Sequence, residues 1–193
     1  LPTPYTSRLA WCPIGVMNGI KDKKGEKVFL FPGTHSKHIR VVDGMVVGFN
    51  TFMTGEFFEL LSKKSILSGS VEMDEQFDQD ENVEFFKNGV LEGAKTNLLN
   101  ASFGVRTNDL FNKISKKQNY HFLSGLLIGT ELKQLQKQDA IEIYLCCSSN
   151  LQSRYQTGLA ALGIEVAHIF PGSYIDKAVV LGQLQIYKQI QIT

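Results

Sequence analysis

Between Phe31 and Lys37 the chain reads Phe-Pro-Gly-Thr-His-Ser-Lys, with backbone N–H groups, two hydroxyls and an ammonium in close succession. Those are groups that hold phosphate. Gly33 lets the backbone approach a ligand closely, and successive N–H groups in such a turn form an anion-binding concavity. Lys37 supplies a point charge, while Thr34 and Ser36 can hydrogen-bond phosphate oxygens or a magnesium-bound water. His35 and His38 raise the question of a metal, but no acidic or cysteine partner is near in sequence, so none is expected. The segment is not the G-x-x-x-x-G-K-[ST] loop, and no G-x-G-x-x-G occurs in the chain. On composition alone it reads first as a polar hairpin turn, because turns favour these residues for backbone reasons.

Three further groups could carry chemistry. Thr54-Gly55-Glu56 follows a strand and puts a carboxylate in the first turn of a helix. There it either complements the helix dipole or holds a substrate hydroxyl next to the phosphate-suited loop. Ser148-Ser149-Asn150 with Arg154-Tyr155 falls at a strand-to-helix transition, which serves equally as a simple N-cap or as the seat of a nucleotide at a helix N-terminus. Gly125 and Gly129 lie one turn apart in an apolar helix, where each glycine costs about 1 kcal/mol relative to alanine. Their spacing suggests close packing on another backbone or on a flat ligand, with packing slightly the better reading.

The elements that must position these residues can be read from periodicity. Val28–Phe31 is a short apolar run stopped by Pro32-Gly33, a buried strand entering a tight loop. His38–Val42 and Met45–Asn50 are further strands, joined by Asp43-Gly44, the strongest short-range hairpin signal. Thr54 is a plausible N-cap for a helix carrying Phe57, Phe58, Leu60 and Leu61. The acidic stretch from Glu72 to Glu84 reads as a solvated loop entering a helix over Val83–Leu99. Leu110–Ile114 continues as a shorter helix that ends in the polar patch Ser115–Asn119. An apolar helix over Phe122–Leu135 precedes strand Ile141–Cys147, helix Leu151–Leu162, strand Glu165–Phe170 and helix Ile175–Lys188. An antiparallel hairpin followed by strand–helix alternation predicts an α/β fold on a mixed sheet.

Bulk properties exclude several classes. Of 193 residues, 43% are hydrophobic and 20% charged, ordinary globular composition with a net charge of +1. No global field recruits nucleic acid or an anionic membrane, and no apolar run nears the roughly 18 residues of a membrane span. Leu1 to Gly19 lack the basic start and apolar core of a secretory signal. Cys12, Cys146 and Cys147 form neither a disulfide framework nor a zinc site, which suits a reducing, cytoplasmic setting. Residues 1–26 are turn-rich and poorly periodic, a linker or the remnant of a preceding domain.

Taken in order, FPGTHSKHIRV, FNTFMTGEFFELLSKKSIL, FGVRTNDL, FLSGLLIGTEL and SSNLQSRYQTGLAALG resemble the 2-dehydro-3-deoxygalactonokinase family, from about Val28 to Gly182. That family belongs to the sugar-kinase/actin superfamily, in which two ribonuclease-H-like domains close on ATP and a sugar. The resemblance implies that residues 27–193 are the C-terminal nucleotide-binding domain, with ATP and Mg²⁺ as cofactors. It implies transfer of the ATP γ-phosphoryl to 2-dehydro-3-deoxy-D-galactonate, a small sugar acid. Neither nucleic acid nor membrane is an expected partner, and a homodimer stays open. Under the resemblance Gly33, Thr34, His35, Ser36 and Lys37 form the second phosphate-binding hairpin. Gly125, Gly129, Ser148, Ser149 and Arg154 wall the adenosine pocket, and Thr54, Gly55 and Glu56 face the sugar acid. Arg106 is the cation suited to the substrate carboxylate, with a structural ion pair as its alternative.

The chain also departs from the family pattern. It carries no Asp-Trp-Gly-Ser/Thr-Thr phosphate motif and no Arg-Gly-Glu-Glu segment upstream of the hairpin, where Val16-Met17 is all that corresponds. The family's glycine beside the adenosine turn is Ser148 here. The general base is therefore expected outside this stretch of chain. An inactive or truncated binding module is the alternative, and a redox protein using Cys146-Cys147 is a third.

Overall fold

Strand β1 (Glu26–Phe31) is buried at every position after the first, which is why its apolar run is continuous rather than alternating. It is the middle strand of a five-stranded sheet ordered β3-β2-β1-β4-β5. The computed structural model describes Gly15, Val16, Ile20 and residues 22–137, 141–147 and 149–190. β1 pairs antiparallel with β2 (Ser36–Val42), and β2 pairs antiparallel with β3 (Met45–Phe52). Asp43 and Gly44 both adopt positive φ at the turn between β2 and β3, the conformation that an Asp-Gly hairpin supplies at least cost. β4 (Glu142–Cys147) pairs parallel with β1, and β5 (Val166–Pro171) pairs parallel with β4. The sheet is mixed, as the order of elements predicts.

Between β3 and β4 lie α1 (Thr54–Lys64), a 3₁₀ turn (Ile66–Gly69), α2 (Asp80–Lys95), α3 (Leu98–Leu110) and α4 (Lys116–Leu132). Helix α5 (Ser149–Ala161) joins β4 to β5, and α6 (Gly172–Ile190) follows β5. Alternate residues of β1 feed two cores. Val28 and Leu30 pack with Phe86, Val90, Ile128, Leu132 and Leu159 on the face covered by α2, α4 and α5. Phe29 and Phe31 pack with Val16, Ile39, Val41 and Ala178 on the face covered by α6. A third cluster joins the 3₁₀ turn, α3 and α4 through Leu67, Val105, Leu123 and Leu126. No helix among the described residues is long and apolar enough to cross a membrane.

Two element boundaries differ from the sequence expectation. The helix predicted over Val83–Leu99 stops at Lys95, and a separate α3 runs from Leu98 to Leu110 with Asn97 as its N-cap, so the short helix expected over Leu110–Ile114 is the turn that follows α3. The polar patch Ser115–Asn119 does not end a helix but begins α4. Ser115 accepts from the Gln118 N–H while the Gln118 side chain accepts from the Ser115 N–H, a reciprocal capping box.

Helices α2 and α4 meet at glycines. A Cβ on Gly125 would lie 2.0 Å from the Phe86 carbonyl oxygen, and one on Gly129 would lie 2.1 Å from that of Val90. Gly89 and Gly93 of α2 approach the Phe122 and Leu126 carbonyls equally closely from the other side. The backbones therefore touch where side chains would normally keep them apart.

Candidate functional site

The loop between β1 and β2 opens onto a cleft of about 160 Å³. Gly33 forms one wall, Thr54, Gly55 and Phe58 of α1 a second, Tyr120, Ser124, Leu127 and Ile128 of α4 a third, and Leu151, Arg154 and Tyr155 of α5 the last. A Cβ added to Gly33 would meet nothing within 4 Å, so the turn presents bare backbone to open space. Gly55 is the reverse case: its added Cβ would lie 2.7 Å from the Thr34 Cα, which holds the loop on the first turn of α1. The Glu56 N–H donates to the Thr34 carbonyl at 3.1 Å, and the Glu56 carboxylate meets His35 Nε2 at 2.6 Å. Loop and helix start are thus one unit, and the positive end of the helix dipole lies beside the turn.

Behind the loop is a buried polar chain that the sequence reading did not single out. The Gly33 N–H donates to Ser36 Oγ at 3.3 Å, and Tyr155 OH donates to Glu131 Oε2 at 2.8 Å. Because the single Tyr155 proton is used on Glu131, Ser36 must donate across its 2.8 Å contact to the Tyr155 oxygen. Every donor in the chain then points the same way and ends on one carboxylate, an order in which each bond polarises the next. Glu131, 3% exposed, also meets His38 Nε2 at 2.9 Å and accepts from the Thr54 hydroxyl. Burial and the neighbouring Glu131 charge push the Tyr155 hydroxyl well above its ordinary pKa, so it remains a donor. Removing that hydroxyl in Tyr155→Phe strands the Ser36 hydroxyl and takes one of its two donors from Glu131 Oε2, which keeps Thr54. Urea unfolding should show a loss of about 2 kcal/mol. One signal in the sequence did point here: Glu131 is the lone acid of α4 and follows its apolar stretch Leu126–Ile128.

Arg154 is the cation of the cleft. Its guanidinium lies over the Phe77 ring, 4.5 Å from the centroid, and Nη1 is 3.3 Å from His121 Nδ1. His121 is fully buried, and its Nε2 lies 3.4 Å from Asp74 Oδ2. Burial first, and then the Arg154 charge, lower the His121 pKa, so the ring is neutral. A lowered imidazole pKa means that the unfolded chain binds the proton more readily. This contribution to stability is complete above the ordinary histidine value of about 6.5 and is lost as pH falls through the depressed folded value.

The residues singled out in the sequence separate as follows. Gly33, Thr54, Gly55 and Arg154 line one cleft, with Thr34, His35, Ser36 and Glu56 bound directly behind or beside it. Lys37 does not line it. Its Nζ donates to the His35 carbonyl at 3.0 Å, and Lys37 shares its side of β2 with Ile39 and Val41, opposite Ser36 and His38. Gly125 and Gly129 face α2, and other residues of α4 line the cleft, so packing is what their bare backbone serves. Arg106 donates to Ser70 Oγ at 3.1 Å and pairs with Asp109 at 3.4 Å, the structural alternative foreseen for it. Ser148 and the Ser149 side chain lie outside the described residues. Cys146 and Cys147 point to opposite faces of β4 into separate cores, and burial pushes Cys147 up to about 11. A paired thiol couple is not built there.

A family model described as 2-keto-3-deoxy-galactonokinase matches residues 14–184. The chain belongs to that family. It is 30% identical over 145 residues to the 2-dehydro-3-deoxygalactonokinase of Escherichia coli (strain K12), a match covering 74% of this chain and 48% of that protein. It is 33% identical over 146 residues to a probable 2-dehydro-3-deoxygalactonokinase of Rhizobium meliloti (strain 1021), covering 74% and 47%. The chain thus spans about half the length of the curated relatives it matches. A crystal structure of a provisionally assigned 2-dehydro-3-deoxygalactonokinase from Sinorhizobium meliloti superposes with a TM-score of 0.76 at 27% identity, over 92% of this chain and 59% of that one.

Proposed function

We propose that the cleft binds ATP–Mg²⁺ and that residues 27–193 are the nucleotide-binding part of a kinase acting on 2-dehydro-3-deoxy-D-galactonate. The observation that carries this reading is the convergence of the bare Gly33 turn, the N-terminus of α1 and Arg154 on one cleft. Backbone N–H groups, a helix dipole and a guanidinium together suit a polyphosphate. The antiparallel unit β1–β3 followed by parallel β4-α5-β5 supports a ribonuclease-H-like, actin-type ATPase domain. The apolar residues Leu127, Ile128 and Leu151 give the cleft a surface for the adenosine.

In this reading the residues of the chain align and neutralise, which is most of what phosphoryl transfer asks of a protein. Mg²⁺ is held mainly by phosphate oxygens in such sites, and its chemistry is charge neutralisation across the transferred group. Glu56, half-exposed beside the loop, is the carboxylate placed to orient a water on that ion or a hydroxyl of the sugar acid. Thr54 is already committed to Glu131, so its part is to hold the helix start in place. Lys37 acts through the His35 carbonyl and keeps the loop shaped for phosphate.

Calorimetric titration of ATP–Mg²⁺ tests the reading. Wild type should bind saturably. Gly33→Val projects a side chain into open space and should bind at least roughly tenfold more weakly, with an unchanged unfolding midpoint. Lys37→Ala should weaken binding in the same direction. Equal binding by all three proteins, or none by wild type, would sink the proposal.

A further inference from the structure

Arg154 presents an unusual economy of contacts. Its pKa is lowered first by burial, and Tyr120, Asp74 and Asp78 act on it only through space. Its bound partners among the described residues are the Phe77 ring and His121 Nδ1. A guanidinium carries five N–H donors in a fixed plane, so several remain for whatever enters the cleft that Arg154 lines. His121 decides which way that plane faces. Arg154 can only donate, so Nδ1 must be the acceptor, and the ring proton must be on Nε2, facing Asp74 Oδ2 at 3.4 Å. That contact is too loose for a good hydrogen bond, and among the described residues Nε2 has no other partner. Asp74 is itself fixed, accepting from the Gln76 N–H at 2.9 Å and from the buried Asn82 amide at 3.1 Å.

We propose that His121, oriented by Asp74, is a positioning residue that sets the Arg154 guanidinium to receive a phosphoryl oxygen of the bound nucleotide. This rests on the nucleotide reading of the cleft. The route from Asp74 through His121 to Arg154 crosses three elements: the loop before α2, helix α4 and helix α5. Protonation of His121 would put an N–H on Nδ1, where donor meets donor and cation meets cation. The charged and titratable groups facing the ring are Asp74 from the loop before α2, Arg154 from α5, and Tyr120 on its own helix. Only the Asp74 carboxylate favours the protonated ring, and burial together with Arg154 outweighs it.

Two amide variants separate the halves of this arrangement. His121→Asn keeps an acceptor near the Nδ1 position and loses the Nε2–H, whereas His121→Gln keeps a donor toward Asp74 and loses the acceptor. His121→Asn should bind ATP–Mg²⁺ within about threefold of wild type, and His121→Gln roughly tenfold or more weakly, as expected for a charge-assisted contact. Adenosine should bind wild type, His121→Gln and Arg154→Gln alike, because it carries no phosphate. Acidification well below the ordinary histidine value of about 6.5, where the lowered His121 pKa places its protonation, should weaken ATP binding more in wild type than in His121→Asn, whose amide cannot protonate. Thermal midpoints of the Asn and Gln variants should match, so that folding does not account for the difference between them. Equal ATP affinities in these two variants would overturn the positioning role while leaving the nucleotide reading intact. Parallel losses of ATP and adenosine would overturn the phosphoryl assignment. Failure of wild type to bind ATP would remove both proposals together.

Discussion

Gly125→Ala is expected to destabilise the protein by about 3 kcal/mol or more, at the upper end of the overpacking range. The new methyl group would fall 2.0 Å from the Phe86 carbonyl oxygen, and no rotamer change can relieve a clash between a Cβ and backbone. The α2 and α4 helices must separate, which opens the packing of Phe86, Val90 and Ile128 beneath them. For a domain of this size the thermal midpoint should fall by roughly 6–12 °C. Gly104→Ala is the control. Gly104 is also a helix glycine, but its added Cβ would meet nothing within 4 Å. It should gain up to about 1 kcal/mol from helix propensity alone. Similar losses in both variants would show that the α2–α4 contact is looser than described. The double variant Gly89→Ala/Gly125→Ala should cost less than the sum of its parts, since one separation relieves both clashes.

Glu131→Ala should be comparably severe, costing about 3–5 kcal/mol, because removing one member of a buried pair leaves its partners unsatisfied. His38, Thr54 and Tyr155 would all lose their acceptor at once. Glu131→Gln keeps one carbonyl oxygen for these donors and should cost about 1–2 kcal/mol. Denaturant unfolding measures the stability difference, and amide exchange at residues 33–36 measures how far the loop has loosened. Faster exchange there in Glu131→Ala, without matching change in β4 and β5, is the expected pattern. Uniform acceleration along the chain would show that Glu131 supports the fold as a whole and not the loop.

Much of the architecture was legible in the chain because its signals were local. Asp43-Gly44 specified its hairpin, the unbroken run at Val28–Phe31 marked a strand covered on both faces, and strand–helix alternation after Ile141 implied parallel pairing. The region from Lys95 to Asn119 was misread for an identifiable reason. Helix α3 buries only Ala101 and Val105, so its apolar periodicity is faint, and its start at Asn97 falls within two residues of the end of α2. The Ser115-x-x-Gln118 capping box was present in the sequence, yet its polarity resembled a chain break.

The site was legible to the extent that its groups were close in sequence. Gly33, Thr54 and Gly55 meet because β2 and β3 form a hairpin that returns the chain to its start. Glu131 and His121 reach the site across 93 residues, from His38 to Glu131, and across 33 residues, from His121 to Arg154. No spacing rule joins residues at such distances. Helical periodicity places Gly125 and Gly129 on one stripe of α4, but which stripe faces the cleft follows only from where α2 packs. Lys37 is a register effect: one residue after Ser36, its side chain must leave from the opposite face of β2.

The one-directional chain from Gly33 to Glu131 has a thermodynamic consequence for any ligand that settles on the turn. A loop built around a glycine, left to itself, samples many conformations, and a ligand that needs one of them must overcome that freedom on binding. Here the restriction is imposed during folding, by Ser36, Tyr155 and Glu131, before a ligand arrives. Association at Gly33 should therefore carry little unfavourable conformational entropy, and discrimination should follow from shape rather than from how well a ligand can mould its site.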